Sequence, residues 1–595
     1  MEKLQRILRK NHKKSMPTHF LFLDCETRYD YEDGYQIHKM RMAWSCFINY
    51  RPERNKNSET WKFHDKPYPM WEYITSLTST KHPLYIIGHN IFFDLQCSGF
   101  FKYLPKQGWK LRFFYDKGFV YILIIENNKR VIKCISTTNY FQATLKQLGH
   151  MVGLEKQEVD FEHCNDETLK EYCKNDVKIL ILSMQYYRDF IEKYDLGRFA
   201  LTKSSQSMNA FRHRFMYAKI YIHDELEAKM LERLAYMGGR VECFYIGKIR
   251  DDNVITLDIN SMYPYLMSTN PVPTKLVCMR ENESVDNVAL NLKTHLGVAR
   301  VIVKTDKPIY SIQQNSKIIF PIGEFECFLC TGGLLEALKR GHLKKVLNIN
   351  YYQGGIIFKD YVDFFYDLRM QAKEDGNTIL DGLSKIMMNS LYGKFGARIA
   401  KLEINDSESN IEYRRISNYI VETKETFIEY YLFGKRIVET EKVDSPNSFT
   451  AISAHITEYG RLMLWDLIEQ VGENRVLYCD TDCIKIRQSD IHRVKHEIHP
   501  AKLGALKIDK IDKNFEIMGC KSYRSDNVRH IKGVPIHAKE IDKTHYEYMQ
   551  FGRQLKHMHK NIDMGVIVHN QIKELSGNYD KGIVTCSGAV LPFQL

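Results

Sequence analysis

The sequence predicts an α/β unit followed by an α+β unit, each with its own cluster of carboxylates. Three observations carry this. In VLYCDTDCIKI (476–486) apolar residues alternate around Asp480 and Asp482, so both acids share one face of a strand. Upstream, ITLDINSMYPYLM puts Asp258 at the end of a second strand, and the helix-like KIMMNSLYGKFG between them carries Lys385, Asn389 and Tyr392. In the N-terminal third, HFLFLDCETRYD reads as a buried strand ending in Asp24 and Glu26, followed by the apolar run HPLYIIGHNIFFDL with Asn90 and Asp94. The third piece there, LKEYCKNDVKILILSMQYYRDF, has helical periodicity that sets Tyr172 and Asp176 one turn apart on one face.

Each cluster has its chemistry. Asp258 and Asp482 offer hard oxygen ligands to divalent cations, and a basic helix beside them can receive phosphate charge. Asp24, Glu26, Asp94 and Asp176 can hold two divalent metals, the arrangement that stabilises both oxygens of a phosphodiester displacement, with Tyr172 placed to orient the attacking water. Any single DxD or YxxxD is more often a solvated strand end or an ordinary helix face. The order of the segments gives them weight.

Length and composition agree with a large intracellular enzyme. The chain has 595 residues and a formal charge of +12, which permits a polyanionic partner. Its 14 cysteines show no framework spacing, so a reducing compartment is expected, and Cys327 and Cys330 form a lone CxxC read as apolar packing. No apolar run of about 18 residues occurs, so no membrane partner is expected. The basic start, MEKLQRILRKNHKKSMP, lacks the apolar stretch of a secretory signal and reads as a basic arm, with an organellar presequence as the alternative.

Taken in order, the segments resemble family B DNA polymerases. Asp258 to Pro264 is similar to the first polymerase motif, Lys385 to Gly393 to the second and Tyr478 to Asp482 to the third; DCET, NIFFD and YCKND are similar to the three motifs of a DEDDy 3′–5′ exonuclease. The resemblance implies a ribonuclease H-like exonuclease domain, then a right-hand polymerase of palm, fingers and thumb with insertions. It implies two divalent ions, Mg²⁺ or Mn²⁺, at each site. Asp258, Asp482 and the Ile259 carbonyl would ligate the polymerase pair, with Asp480 beside them. Lys385, Lys373, Arg369 and Asn389 would meet the nucleotide, Tyr263 would stack under its sugar and Tyr392 would line the base-pair pocket. Lys373, read as three turns upstream of Lys385, is expected to extend the same basic face.

Smaller elements resemble the protein-primed branch, which copies linear phage and plasmid genomes with a terminal protein. Tyr236, Gly238 and Gly239 match its Tyr-x-Gly-Gly element, Lys521 and Tyr523 its Lys-x-Tyr motif, and Lys156 its exonuclease-domain lysine. Thr457 and Arg461 resemble a Thr-x-x-Ala-Arg element in which Gly460 replaces the alanine. These residues, with Thr27, His89, Asn90, Phe93, Thr144 and Leu145, would contact DNA. Cys483 and Phe161 depart from the serine and tyrosine common there.

The expected domains are an exonuclease over 1–195, palm over 196–301 and 448–529, a first terminal-protein insertion over 302–360, fingers over 361–397, a second insertion over 398–447 and a thumb over 530–595. The polar, hairpin-like second insertion holds Arg398, Lys401, Arg414, Arg415, Lys424, Lys435 and Arg436, which are expected to touch DNA. The implied partners are template-primer DNA, dNTPs, a terminal protein and a single-stranded DNA-binding protein, acting on a monomer in a host cytoplasm or, for an organelle's linear plasmid, in mitochondria. A nucleic-acid-primed polymerase and an inactive DNA-binding replication factor are the competing readings.

Overall fold

The computed structural model describes residues 5–32, 35–50, 57–161, 163–407, 413–420, 425–526, 528–551, 566–575 and 577–595. Lys424, one of the cations assigned above to the second insertion, lies outside them. Among the described residues no helix is long and apolar enough to cross a membrane.

The N-terminal domain forms on the strand Leu84–Gly88, buried along its whole length. It pairs in parallel with His19–Glu32 on one side and Arg130–Ser136 on the other, which is why LYIIG is continuously apolar rather than alternating. The helix Asp166–Lys193 lies across this sheet. Asn165 caps it by accepting from the Thr168 N–H, and Asp166 and Glu167 complement its N-terminal dipole. Its apolar stripe, Val177, Leu180 and Met184, enters the core with Phe20, Phe22 and Ile87.

The palm is a five-stranded sheet in the order Val241–Cys243, Val476–Asp480, Cys483–Arg487, Val254–Ile259, Leu506–Asp512, with antiparallel neighbours throughout. One face is covered by the helix Thr450–Val471, whose Leu464, Ile468 and Val471 pack with Ile255, Leu257, Ile484 and Ile486. Gly472, at φ 104°, ends that helix in a conformation that side chains rarely adopt.

The segment between palm and fingers departs from the expected division. A cut at 301/302 falls inside the strand Leu296–Thr305, and one four-stranded sheet runs from Val272 to Gly355. LGVARVIVKT keeps a buried face across residue 302, with no turn residue to stop it. The fingers also differ. Lys359–Glu374 and Thr378–Phe395 are two helices of a hairpin, broken at Gly376 (φ 67°) and restarted by the Asn377 cap. Lys373 therefore does not sit three turns up the helix of Lys385; it faces it across the hairpin, close enough for the two cations to repel.

The strands Arg398–Asp406, Tyr413–Ile420, Glu425–Leu432 and Lys435–Asp444 form a separate four-stranded antiparallel sheet. It docks on the N-terminal domain: Tyr430, Leu432, Phe433 and Ile437 share a core with Phe100, Phe101 and Phe114, and Lys117 pairs with Glu439 at 2.7 Å. Four of the cations expected to touch DNA have acid neighbours, the offset that the mixed charge of the segment already suggests. Lys401 pairs with Glu441 at 3.0 Å, Lys435 with Asp406, Arg436 with Glu429, and Arg398 lies 3.8 Å from Asp444. Toward the C-terminus the hairpin His545–Phe551/Val566–Glu574 adds its second strand to Tyr35–Asn49, so the last region continues the sheet of the first.

Candidate active sites

Two strand ends meet in the palm. Asp258 lies opposite Cys483 on one neighbour and Lys507 on the other. The Asp480–Asp482 turn is sharp: Thr481 has φ 62°, and the Asp482 N–H donates to the Asp480 carbonyl at 2.7 Å. The Ile259 N–H donates to the Asp482 carbonyl at 2.8 Å, fastening the two acidic ends together. Burial, then the Asp258 charge, pushes the Asp482 carboxyl up to about 6; burial also raises Asp258. Two half-buried acids that repel one another form a site that a divalent cation relieves.

Asp480 is held differently. The Tyr478 hydroxyl donates to its Oδ2 at 3.0 Å, and Lys521 Nζ lies 3.2 Å from its Oδ1. The Lys521 N–H in turn donates to the Tyr478 hydroxyl at 3.0 Å. Lys507 Nζ reaches Asp258 at 3.1 Å. Sequence reasoning missed Lys507; its signal was the alternating LKIDKID after the third motif.

Around this floor, Lys385, Asn389 and Lys373 are exposed, so Asn389 is not a core residue. Arg369 donates to Asp381 at 2.6 Å and to Ser261 at 2.9 Å, tying the fingers to the start of the helix Met262–Thr269. The Tyr263 and Tyr392 rings lie 4.9 Å apart. A Cβ on Gly239 would come within 2.9 Å of Thr481 and 3.0 Å of the Tyr263 hydroxyl, so glycine lets the Tyr236–Gly239 segment pass beside the Asp480–Asp482 turn; Gly238 meets nothing closer than 3.6 Å. A Cβ on Gly460 would stand 3.0 Å from the Tyr263 ring, which accounts for glycine where alanine is usual.

Several expected DNA ligands make contacts within the chain. Thr457 and Arg461 are only 3% and 4% exposed. Arg461 donates to the Met237 and Gly238 carbonyls, both at 3.0 Å, so it positions the loop rather than facing solvent. The Thr144 hydroxyl is engaged in a capping box with Gln147, and Leu145 is buried beneath it. Tyr523 is half-buried, stacked on Phe515 with Lys485 over its ring at 4.8 Å.

In the N-terminal domain Asp24 and Glu26 share one face of their strand, and Asp94 comes from the helix Ile91–Cys97, its Oδ1 accepting the Cys25 N–H at 3.0 Å. Asp176 and Tyr172 project from the long helix, and Lys156 pairs with Asp176 while lying 4.1 Å over the Tyr172 ring. Phe161 packs edge-on against Tyr172. Burial, then Asp176, pushes Asp24 up to about 7; burial, then Asp24, pushes Glu26 up to about 9. Asp176 Oδ1 is buried with no hydrogen-bond partner, and ligand atoms of Asp24, Glu26 and Cys173 lie within 4.8 Å of one another. This donor set suits divalent cations. Cys173 was not anticipated, since a single cysteine inside the helix motif YCKND carries no metal-ligand spacing of its own. Asn90 is exposed at the mouth, Phe93 is half-buried, Thr27 bonds His38 at 3.0 Å and His89 bonds Thr137 at 2.8 Å.

The family model for DNA polymerase type B, organellar and viral, matches residues 110–473. The chain belongs to this family. It is 24% identical over 391 residues to a probable DNA polymerase of Neurospora intermedia, covering 61% of this chain and 38% of that protein. It is 26% identical over 378 residues to the DNA-directed DNA polymerase of Enterobacteria phage PRD1, covering 62% and 63%. The matches thus span about two fifths to three fifths of these relatives' lengths. The fold of Phi29 DNA polymerase, complexed with primer-template DNA and incoming nucleotide, superposes with a TM-score of 0.66 at 16% identity over 94% of this chain and all of that one. The family is organellar and viral, as the motifs implied, and the fold is that of an exonuclease domain joined to a right-hand polymerase.

Proposed function

We propose that the chain is a DNA-directed DNA polymerase with 3′–5′ proofreading, replicating a linear viral or plasmid genome by protein priming and strand displacement. The observation that carries this is the fastening of Asp258 to Asp482 through the Ile259 hydrogen bond, beside a fingers hairpin whose Lys385 is free to meet phosphate. Asp258, Asp482 and the Ile259 carbonyl, and Asp24, Glu26, Asp94 and Asp176, would hold divalent cations, which would supply Lewis-acid stabilisation of phosphoryl oxygens.

This chain's residues do the rest. Lys385 meets the triphosphate as a point charge, with Lys373 approaching from the other helix. Arg369 holds Ser261, and so the turn that presents Tyr263 to the nucleotide sugar. Lys521 and the Tyr478 hydroxyl fix Asp480 next to the primer end. In the N-terminal site burial pushes the Tyr172 phenol up to about 12, so it stays a donor that can orient water.

Protein priming rests on the branch-like Tyr-x-Gly-Gly and Lys-x-Tyr elements and on the added sheet at 398–444. The domain scheme is retained with one amendment: the first insertion belongs to the sheet that starts at Val272. The test has two arms. With Mg²⁺, dNTPs and a primed template the chain extends DNA, and with a candidate terminal protein it yields a protein–dNMP adduct. No extension in the first arm overturns the polymerase assignment. Extension without an adduct for any neighbouring gene product leaves a nucleic-acid-primed polymerase.

A further inference from the structure

Beside the edge strand of the palm sheet a cavity of about 330 Å³ is lined by Cys243, Tyr579, Lys581, Glu242 and Arg487. Cys243 lies on the edge strand Val241–Cys243, opposite Tyr478 of the catalytic strand. Cys520 lies in the turn after the strand Glu516–Gly519, its thiol 3.5 Å from the Val241 carbonyl. Val241 is two residues before Cys243 on the same face of that strand, so the two thiols come close enough to interact, and the Tyr579 hydroxyl accepts from the Cys243 N–H at 3.0 Å. Cys520 is partly exposed and Cys243 is 2% exposed.

A second thiol pair, Cys25 and Cys97, offers a contrast. Those thiols also interact, but both are buried in the N-terminal core, 6% and 1% exposed. Of the two pairs, Cys243–Cys520 is the one with a route to small solutes.

We propose that Cys243 and Cys520 form a reversible disulfide that controls the polymerase site. The oxidant is a peroxide. The Cys520 thiolate attacks one peroxide oxygen, the O–O bond breaks, and a sulfenic acid and hydroxide result. The Cys243 thiol then attacks the Cys520 sulfur; the S–S bond forms, the S–O bond breaks and water leaves. Two electrons pass from the sulfurs to the peroxide. The interaction with Cys243, with the Lys581 ammonium nearby, holds the Cys520 thiol below the usual cysteine value, and the same interaction raises Cys243, so Cys520 attacks first.

The consequence follows from chain connectivity. Cys520 immediately precedes Lys521, which adopts φ 58°, donates its N–H to Tyr478 and reaches Asp480. Drawing Cys520 onto the edge strand moves Lys521 off the carboxylate it fixes. A misplacement of about 1 Å at such a site costs roughly a hundred-fold in rate. The effect on extension rests on the proposed polymerase function; the bond does not.

The test treats the full chain with hydrogen peroxide, blocks remaining thiols and maps peptides by mass. The expected result is a linked Cys243–Cys520 peptide, extension slowed by roughly a hundred-fold, unchanged degradation of single-stranded DNA, and full reversal by dithiothreitol. C243S and C520S, both active under reducing conditions, should resist peroxide. Absence of the linked peptide while Cys520 remains alkylatable overturns the proposal, as does equal loss of extension in C520S. A linked peptide in a chain that extends no DNA even when reduced supports the bond and removes the polymerase function instead.

Discussion

The two carboxylate sites are made of the same acids in different surroundings. In the N-terminal domain Glu26, Asp94 and Asp176 are 9%, 4% and 3% exposed and face one lysine, Lys156. In the palm Asp258, Asp480 and Asp482 are half-buried, and Lys507 and Lys521 each reach one of them. The result is graded: Glu26 is pushed up to about 9 and Asp482 only to about 6, burial being the first cause of both. A buried cluster with little cationic help depends more on bound cations than an open one whose lysines already share the load.

The largest effects test whether the sites are independent. Asp258→Ala or Asp482→Ala should lower extension by about a thousand-fold or more, since several kcal/mol of transition-state stabilisation are lost, while single-stranded DNA is still degraded. Asp24→Ala with Glu26→Ala should do the reverse. Primer extension and end-labelled degradation, measured on the same preparations, decide it; loss of both activities in either variant would mean that the clusters form one site.

Next comes the close packing around the palm turn. Gly239→Ala puts a methyl within 2.9 Å of Thr481 and 3.0 Å of the Tyr263 hydroxyl. Extension should fall by roughly a hundred-fold with degradation unaffected. Normal extension kinetics would show that the turn has room to move. At Tyr263 itself, a change to valine should admit ribonucleotides, read as the ratio of dNTP to NTP incorporation; an unchanged ratio places the sugar gate elsewhere.

The pH dependence separates the sites by their carboxyl values. A carboxyl raised in the folded chain keeps a proton that the unfolded chain has released, so metal-free stability falls as pH rises from the ordinary carboxylate range toward about 9 for Glu26. Mg²⁺ should therefore raise the melting temperature more at pH 9 than at pH 6, and the Asp24→Ala, Glu26→Ala double variant should lose most of that difference. An equal Mg²⁺ shift at both pH values would contradict the buried-cluster account.

The smallest effect concerns the sheet at 398–444. Removing it would bare Phe100, Phe101 and Phe114, so a deletion confounds DNA retention with stability. Arg414→Ala with Arg415→Ala keeps the apolar contact. It should shorten products by a few-fold in competitor-DNA assays, about one phosphate contact per lysine or arginine removed. Equal lengths would leave the sheet a structural cover.

The acids at strand ends, the helix with Tyr172 and Asp176, and the order of motifs were legible in the sequence because each depends on local periodicity of two or 3.6 residues. The same holds for the acidic order Asp258, Asp480, Asp482 and for the glycines of Tyr236–Gly239. What tertiary structure alone decided involves partners far apart in the chain. Lys507 faces Asp258 because their strands pair; Arg461 turns inward because the Met237 and Gly238 carbonyls need a donor; Lys401 and Lys435 are taken by acids across the sheet at 398–444. The helix break at Gly376 was local, yet it was missed, since the residues on either side keep helical character and only φ 67° reveals the turn. Sequence thus set which chemical groups are present and on which face of each element they lie. Long-range pairing set which charges are neutralised and how deeply each acid is buried, because burial and ion pairing are properties of neighbours that the chain brings together only on folding.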